Sequence, residues 1–344
     1  MRSRFDWPLI LAILALAAIS LSVIFSIDRQ LATNQLIFWL LGLSLFWVVS
    51  RAIVQLWQKL AIPAYLATII SLVLVFLIGE EIRGALRWID LGIFRFQPSE
   101  IAKLTTIVIL STFYLKKTAG EFPNIVTSLI IIAPIFLLIF RQPDIGSALS
   151  IIAIWAGISY VAKINKKTAL TLFLATLIIL PLIFNFIAPY QKQRLTAFIN
   201  PREDPLGSGY NIIQSKIAVG SGLLLGRGLG RGSQSQLNFL PEAESDFIFA
   251  AIVEELGLLG GGTVVLIFIF ILLRIHAALE NKDSFAQLLA TGTLALLTYQ
   301  IMVNIGMNLG LIPVTGITLP LVSYGGSSLI TTLVLLGIVS LPQR

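Results

Sequence analysis

The stretch NFLPEAESDFIFAAIVEELG, residues 238–257, drops Glu242, Glu244 and Asp246 at the mouth of an apolar run and sets Glu254 and Glu255 further in. Asp246 stands where a membrane helix would begin. The helix macrodipole and unpaired N–H groups favour a carboxylate there, so a simple N-cap is the plain reading. The catalytic reading is a general base. A partly buried carboxylate is hard to keep charged, which makes it a better proton acceptor near neutral pH. Ionisable groups within membrane segments mark function by default. Glu254 lies eight residues on, about two turns, and shares roughly one face with Asp246. Glu255 is turned away by about 100°. Pairing of both with cations in the bundle is the plainer alternative.

QPSEIAK, residues 97–103, opens another apolar run. Pro98 suits a first helical turn. Glu100 and Lys103 are spaced to pair on one face, and a lysine just inside a membrane also suits a phosphate. Arg83, Arg87 and Arg95 fall in one polar stretch, and Arg194, Arg202, Lys216, Arg227 and Arg231 in a second. Arginine forks match phosphate oxygens bidentately, although headgroup contact accounts for any single one. In NIGMNLGLIPVTGITLPLVSYGGSS, residues 304–328, Pro and Gly interrupt an apolar region. Non-helical backbone at membrane depth is tolerated where it lines a cavity or is buried in protein, so Asn304, Asn308, Ser323 and Tyr324 are candidates to line one. GRGLGRGSQ lacks the GK[ST] ending of a nucleotide loop and has no strand before it; it reads as a flexible segment permitted by glycine. The single histidine, His276, reads as a solvated loop residue.

These groups need elements to position them. Of the 344 residues 57% are hydrophobic and 12% charged, against about 25% charged in soluble domains. A hydrocarbon core of about 30 Å takes about 20 apolar residues as helix. Runs of that kind lie near 8–27, 35–56, 61–79, 98–115, 124–140, 145–162, 168–188, 246–273, 285–307 and 318–340. The expected fold class is an all-α polytopic membrane protein of about ten transmembrane helices. A single integral membrane domain over 1–344 is expected, with a long extracytoplasmic loop at about 189–245, before the eighth helix. The N-terminus reads as an uncleaved first span. Arg2, Arg4, Arg51, Lys59, Lys116, Lys117, Lys163, Lys166, Lys167, Arg274, Lys282 and Arg344 fall on one side, which should be the cytoplasm with both termini inside. The net charge of +7 then reflects anionic lipid and the positive-inside bias rather than nucleic acid. With no cysteine, disulfides, thiolate metal sites and a cysteine nucleophile are excluded. The two polar stretches, 80–100 and 189–245, fall on the outer face, where a merely spanning protein needs neither. The residues alone lead to a membrane enzyme or transporter with an anionic substrate on that face.

GALRWIDLGIFRFQPSEIAK, RQPDIGSA, YQKQRLTAFINPREDPLGSGYNIIQSKIAVGSG, GSQSQLNFLPEAESDFIFAAIVEELG and PVTGITLPLVSYGGSS together resemble the SEDS family, the RodA and FtsW peptidoglycan polymerases, in the family's order. The brief N-terminus, the near-absence of a C-terminal tail and GSQSQLNFLPE are more similar to the RodA branch. The resemblance implies an inverting glycosyltransferase of the bacterial cytoplasmic membrane acting in elongation and cell shape. Its substrate would be lipid II, an undecaprenyl-pyrophosphoryl disaccharide-pentapeptide, and its partner a class B penicillin-binding protein. The family's catalytic aspartate falls on Asp246, and its functional glutamate and lysine on Glu100 and Lys103. Loop arginines match Arg87 and Arg194. Lys216, Gln97, Glu242, Asn304, Ser323 and Tyr324 join them as candidate substrate-binding residues. Many members read HTD where this chain reads Glu244-Ser245-Asp246, which puts any imidazole role in doubt. Asp246, Glu242 and Glu244 also offer oxygens to a divalent cation, Mg or Mn, a cofactor the sequence leaves open. A lipid II flippase and a non-catalytic cell-wall scaffold are the competing classes.

Overall fold

A computed structural model of the chain describes residues 6–82, 85–90, 92, 95–183, 189–205, 207, 209–279 and 283–340. In chain order its elements are α1 (Trp7–Ile27), α2 (Arg29–Val49), α3 (Val54–Ile78), β1 (Glu80–Ile82), β2 (Ala85–Asp90), β3 (Arg95–Phe96), α4 (Pro98–Tyr114), α5 (Phe122–Arg141), α6 (Ile145–Val161) and α7 (Lys166–Ile183). There follow α8 (Pro189–Ile199), α9 (Tyr210–Ser221), α10 (Ser233–Gln236), α11 (Ile248–Leu279), α12 (Ser284–Asn308) and α13 (Gly326–Val339). Among the described residues six helices, α1, α2, α3, α5, α11 and α12, are long and apolar enough to cross a membrane. The chain is therefore a multi-pass helical membrane protein. Each of the ten expected runs meets a helix, but α4 and α6 have 17 residues and α13 has 14, short for a straight crossing of about 20 residues.

The chain divides into two compact units, one of residues 1–50, 193–275 and 297–342, the other of 51–192, 276–296 and 343–344. In the first, α2 packs on α13 where small residues let the backbones approach. A Cβ at Gly337 would come 2.9 Å from the Phe46 carbonyl oxygen. Leu16, Val23, Ile24, Trp39 and Phe46 are buried there. In the second, α4 packs against α3 and α6 around Ile107, Leu110, Ile151 and Ile158. Pro134 lies inside α5, and the Tyr65 hydroxyl donates to the nearby Ile131 carbonyl at 2.7 Å.

Five local expectations change. Helix α2 starts at Arg29, six residues before the apolar run, because the Asp28 carboxylate caps it through the N–H groups of Gln30 and Leu31. Residues 318–325 are not helical; Pro320 and the Gly325–Gly326 pair hold α13 back to Gly326. The first polar stretch is an antiparallel three-stranded sheet, β1-β2-β3, whose ALRWID strand alternates across its faces. The second, expected as loop, carries α8, α9 and α10. His276 lies within α11 rather than in a loop, and is exposed.

Helix α11 is two helices joined at Gly257, whose φ of 73° and ψ of −173° are not helical. That region is open essentially to glycine alone. Segment 223–228 docks on the break: the N–H groups of Arg227 and Gly228 donate to the Glu254 and Glu255 carbonyls, each at 2.9 Å. The N–H groups of Leu258 and Leu259 donate in return to the Leu223 and Leu224 carbonyls, at 2.9 and 3.2 Å. The broken helix is thereby satisfied by another strand of backbone, which bare membrane would not allow. The start of the glycine-rich stretch read as flexible takes part in this through Arg227 and Gly228. A Cβ at Gly257 would also lie 2.3 Å from the Gly226 nitrogen. Gly257→Ala should therefore cost about 3 kcal/mol or more. The check is the melting temperature of detergent-purified protein; unchanged melting would mean the break is not strained by a side chain.

Candidate functional site

In the unit that carries Asp246, three successive carbonyls are held. The Tyr324 N–H donates to the Glu244 carbonyl at 2.8 Å. The Ser323 hydroxyl donates to the Ser245 carbonyl at 2.6 Å. The amides of Asn304 and Asn308 both donate to the Asp246 carbonyl, at 3.1 and 2.9 Å. The other Asn304 amide hydrogen goes to the Ile317 carbonyl at 2.7 Å. Asn308 Oδ1 accepts the Ala250 N–H at 2.9 Å, capping from another helix one of the donors that every helix start leaves open. Both asparagines are fully buried and Ser323 nearly so. Asn304 and Ser323, both candidate substrate-binding residues, hold the main-chain carbonyls of Asp246 and Ser245. Tyr324 contributes its N–H in the same way. Removing Asn308 leaves a buried N–H without its acceptor, a loss of about 1–3 kcal/mol. Asn308→Ala should lower both the melting temperature and any activity that depends on Asp246, measured side by side on purified protein.

The 319–325 turn sets the depth of Asp246. Ser20 donates to the Val322 carbonyl at 2.6 Å, and Gln35 to the Ser323 carbonyl at 3.0 Å. Those side chains lie about 10 Å of helix rise from the α1–α2 junction. Glu255, by contrast, reaches Ser26 beside that junction. The first half of α11 therefore rises from Asp246 towards the junction. Its second half leaves for the far end of α1, where Arg274 pairs with Asp6 at 2.8 Å. The 22 residues after the break are long enough to span alone, at about 1.5 Å each. Asp246, itself half-buried, thus sits at the start of the first half of the broken helix, with the positive end of that helix's dipole beside it.

Glu254 and Glu255 are fully buried and meet neutral donors rather than the expected cations. Glu254 accepts the N–H groups of Gln234 and Ser235, at 2.8 and 3.0 Å, and the Ser235 hydroxyl at 2.9 Å. The Ser26 hydroxyl lies 2.9 and 2.7 Å from the two Glu255 oxygens, and the Gln236 amide donates at 2.9 Å. The pair ties α10 and α1 to the broken helix. Glu242 holds a left-handed turn, φ 58°, and its carboxylate accepts the Ser245 hydroxyl at 2.7 Å. Lys216 is exposed and lies across Gly310, where a Cβ would come 2.0 Å from its Cε. Arg194 donates to the Val314 carbonyl at 3.3 Å.

The other unit gathers a second set. Lys103 donates to Glu100 at 2.6 Å, both buried, so the expected pair forms. Asp144, which sequence reasoning passed over, is the hub beside them. It caps α6 through the Ser147 N–H at 3.1 Å and lies 3.5 Å from both the Gln97 amide and the Ser99 hydroxyl. Arg87 Nη1 is 3.9 Å from it, and the same guanidinium donates to the carbonyls of Gln142 and Pro143. Arg87 thus clamps the α5–α6 turn while 17% of its side chain stays exposed. The signal for Asp144 was the N-cap spacing in PDIGS. Arg95 and Arg202 are exposed, and Arg83 lies outside the described residues. Among the described residues no three acids or histidines converge on a metal position.

The chain is thus a multi-pass helical membrane protein with an acid held by its main chain at the start of a broken helix. The chain belongs to the FtsW/RodA/SpoVE family of cell cycle proteins, whose model matches residues 5–342. It is 36% identical over 340 residues to the peptidoglycan glycosyltransferase MrdB of Escherichia coli K12, covering 97% of this chain and 92% of that one. It is 35% identical over 358 residues to a probable peptidoglycan glycosyltransferase FtsW of Geobacter metallireducens, covering 97% and 93%. Its fold matches a chain from a solved peptidoglycan synthase complex that coordinates polymerization and crosslinking, with a TM-score of 0.85 and 31% identity over 98% of this chain and 97% of that one.

Proposed function

We propose that this chain is a peptidoglycan glycosyltransferase that polymerises lipid II at the outer face of the bacterial cytoplasmic membrane, with both termini inside. About ten helices hold the lipid tails in the bilayer. The observation that carries the reading is the family match along nearly the whole chain, with relatives named for this activity. The 4-hydroxyl of an incoming lipid II sugar attacks the anomeric carbon of the growing chain. Asp246 takes its proton as the new C–O bond forms, and the bond to the lipid pyrophosphate breaks with inversion. Lys216 and Arg194 meet the negative charge on the departing pyrophosphate, and Arg87 is a proposed substrate-binding residue of its own unit. The burial of Lys103 against Glu100 supports an orienting role for that lysine. A divalent cation, if one takes part, would draw ligands from the substrate as well as from the acids near Asp246.

The partner is a class B penicillin-binding protein, a reading supported by the likeness to a synthase complex that joins polymerization to crosslinking. Elongation and cell shape are the proposed role, from the motifs shared with the RodA branch. The test is purified protein in liposomes with lipid II, with and without the cognate penicillin-binding protein. Glycan chains are the expected product. Transport of lipid II across the bilayer with no glycan would replace the polymerase by a flippase. Neither activity, with a chain that still complements a deletion strain, would leave a scaffold.

A further inference from the structure

A groove of about 790 Å³ opens between the outer ends of α1 and α2 and the Leu229–Gly230 segment. That volume lies within the range of built ligand sites, roughly 300–1,000 Å³. Its walls are apolar, with Leu21, Phe25, Leu36 and Leu229, and its one charged lining residue is Arg29. The Arg29 guanidinium stands 5.4 Å over the Phe25 ring. That contact steadies the cation without neutralising it. The neighbouring Asp28 carboxylate accepts two N–H groups at the start of α2. The groove has a built floor: Ser26 and Gly230, which both line it, also hydrogen-bond Glu255.

We propose that this groove is a binding site for an anionic phospholipid, with an acyl chain along the leucine and phenylalanine walls and the phosphate on Arg29. A long apolar trough with a single cation at its end fits a lipid better than a free phosphate, which has no use for the walls. It fits an anionic lipid better than a zwitterionic one, whose own cation competes with the guanidinium. The occupant would bridge Leu229–Gly230 to α1 and α2, and so brace the Glu255 network on which the broken helix rests. The inference needs a membrane protein but not a polymerase, so it stands or falls apart from the activity.

The test is native mass spectrometry of the purified full chain, titrated with dioleoylphosphatidylglycerol or dioleoylphosphatidylcholine. One tightly held phosphatidylglycerol is expected. Its affinity should fall about tenfold in Arg29→Gln, the loss of one charge-assisted contact. Leu229→Trp, which fills the groove but keeps the arginine, should lose it as well. Leu36→Trp fills the same space from the opposite wall should Leu229→Trp not fold. Equal retention of both lipids overturns the proposal. So does full retention by Arg29→Gln or by the filled variant. Displacement of the phosphatidylglycerol by undecaprenyl phosphate would hand the groove to the substrate's lipid instead, and would also overturn it.

Discussion

Asp246→Asn should cut glycan polymerisation by about 100- to 10,000-fold, the usual worth of a general base, and leave the fold intact. The amide keeps the size of the side chain but cannot accept the proton as the sugar hydroxyl attacks. The main-chain carbonyl that Asn304 and Asn308 hold is untouched, as are the links from Ser323 and Tyr324 one and two residues upstream. Melting temperature should therefore stay near that of the wild type. Asp246→Glu is the informative companion. It restores the carboxylate but moves it by a methylene against a main chain fixed at three points, so activity should recover only in part. The measurement is a lipid II polymerisation assay on the three proteins, with melting curves alongside. Polymerisation by Asp246→Asn at the wild-type rate would remove the acid from the chemistry and leave it as a helix-end anion.

The sequence made some of this legible and hid the rest for definable reasons. Hydropathy found the helices because membrane burial needs long apolar runs, and i,i+3 spacing found the Glu100–Lys103 pair because that contact is local. It did not find the break at Gly257, since a hydropathy window sees side chains and not φ and ψ. Nor did it find the partners of Glu254 and Glu255, which come from 19 to 229 residues away in the chain. Two buried acids in an apolar helix suggest cations; here amide and hydroxyl donors do the work, delivered by α10 and α1. The asparagines of α12 were noticed as polar residues at membrane depth. Only the structure tells that their amides point to main-chain carbonyls. Asp144 went unremarked because its partners, Arg87, Gln97 and Ser99, lie 45 to 57 positions upstream.

The buried Glu100–Lys103 pair offers the second large effect, and a way to separate structure from chemistry. Removing one partner strands the other charge away from water, which costs about 3–5 kcal/mol. Glu100→Met and Lys103→Leu should each unfold the protein at a markedly lower temperature and lose activity with it. That result alone would say nothing about catalysis. The double variant Glu100→Met/Lys103→Leu removes both charges, and an apolar replacement of similar volume is often neutral in stability. Its melting temperature should return most of the way to that of the wild type. If polymerisation stays absent in that stable protein, the pair acts in the reaction, through Lys103 or through the carboxylate it orients near Gln97 and Asp144. If polymerisation returns with stability, the pair only holds α4 together, and the chemistry falls to Asp246 and the cations of the loops.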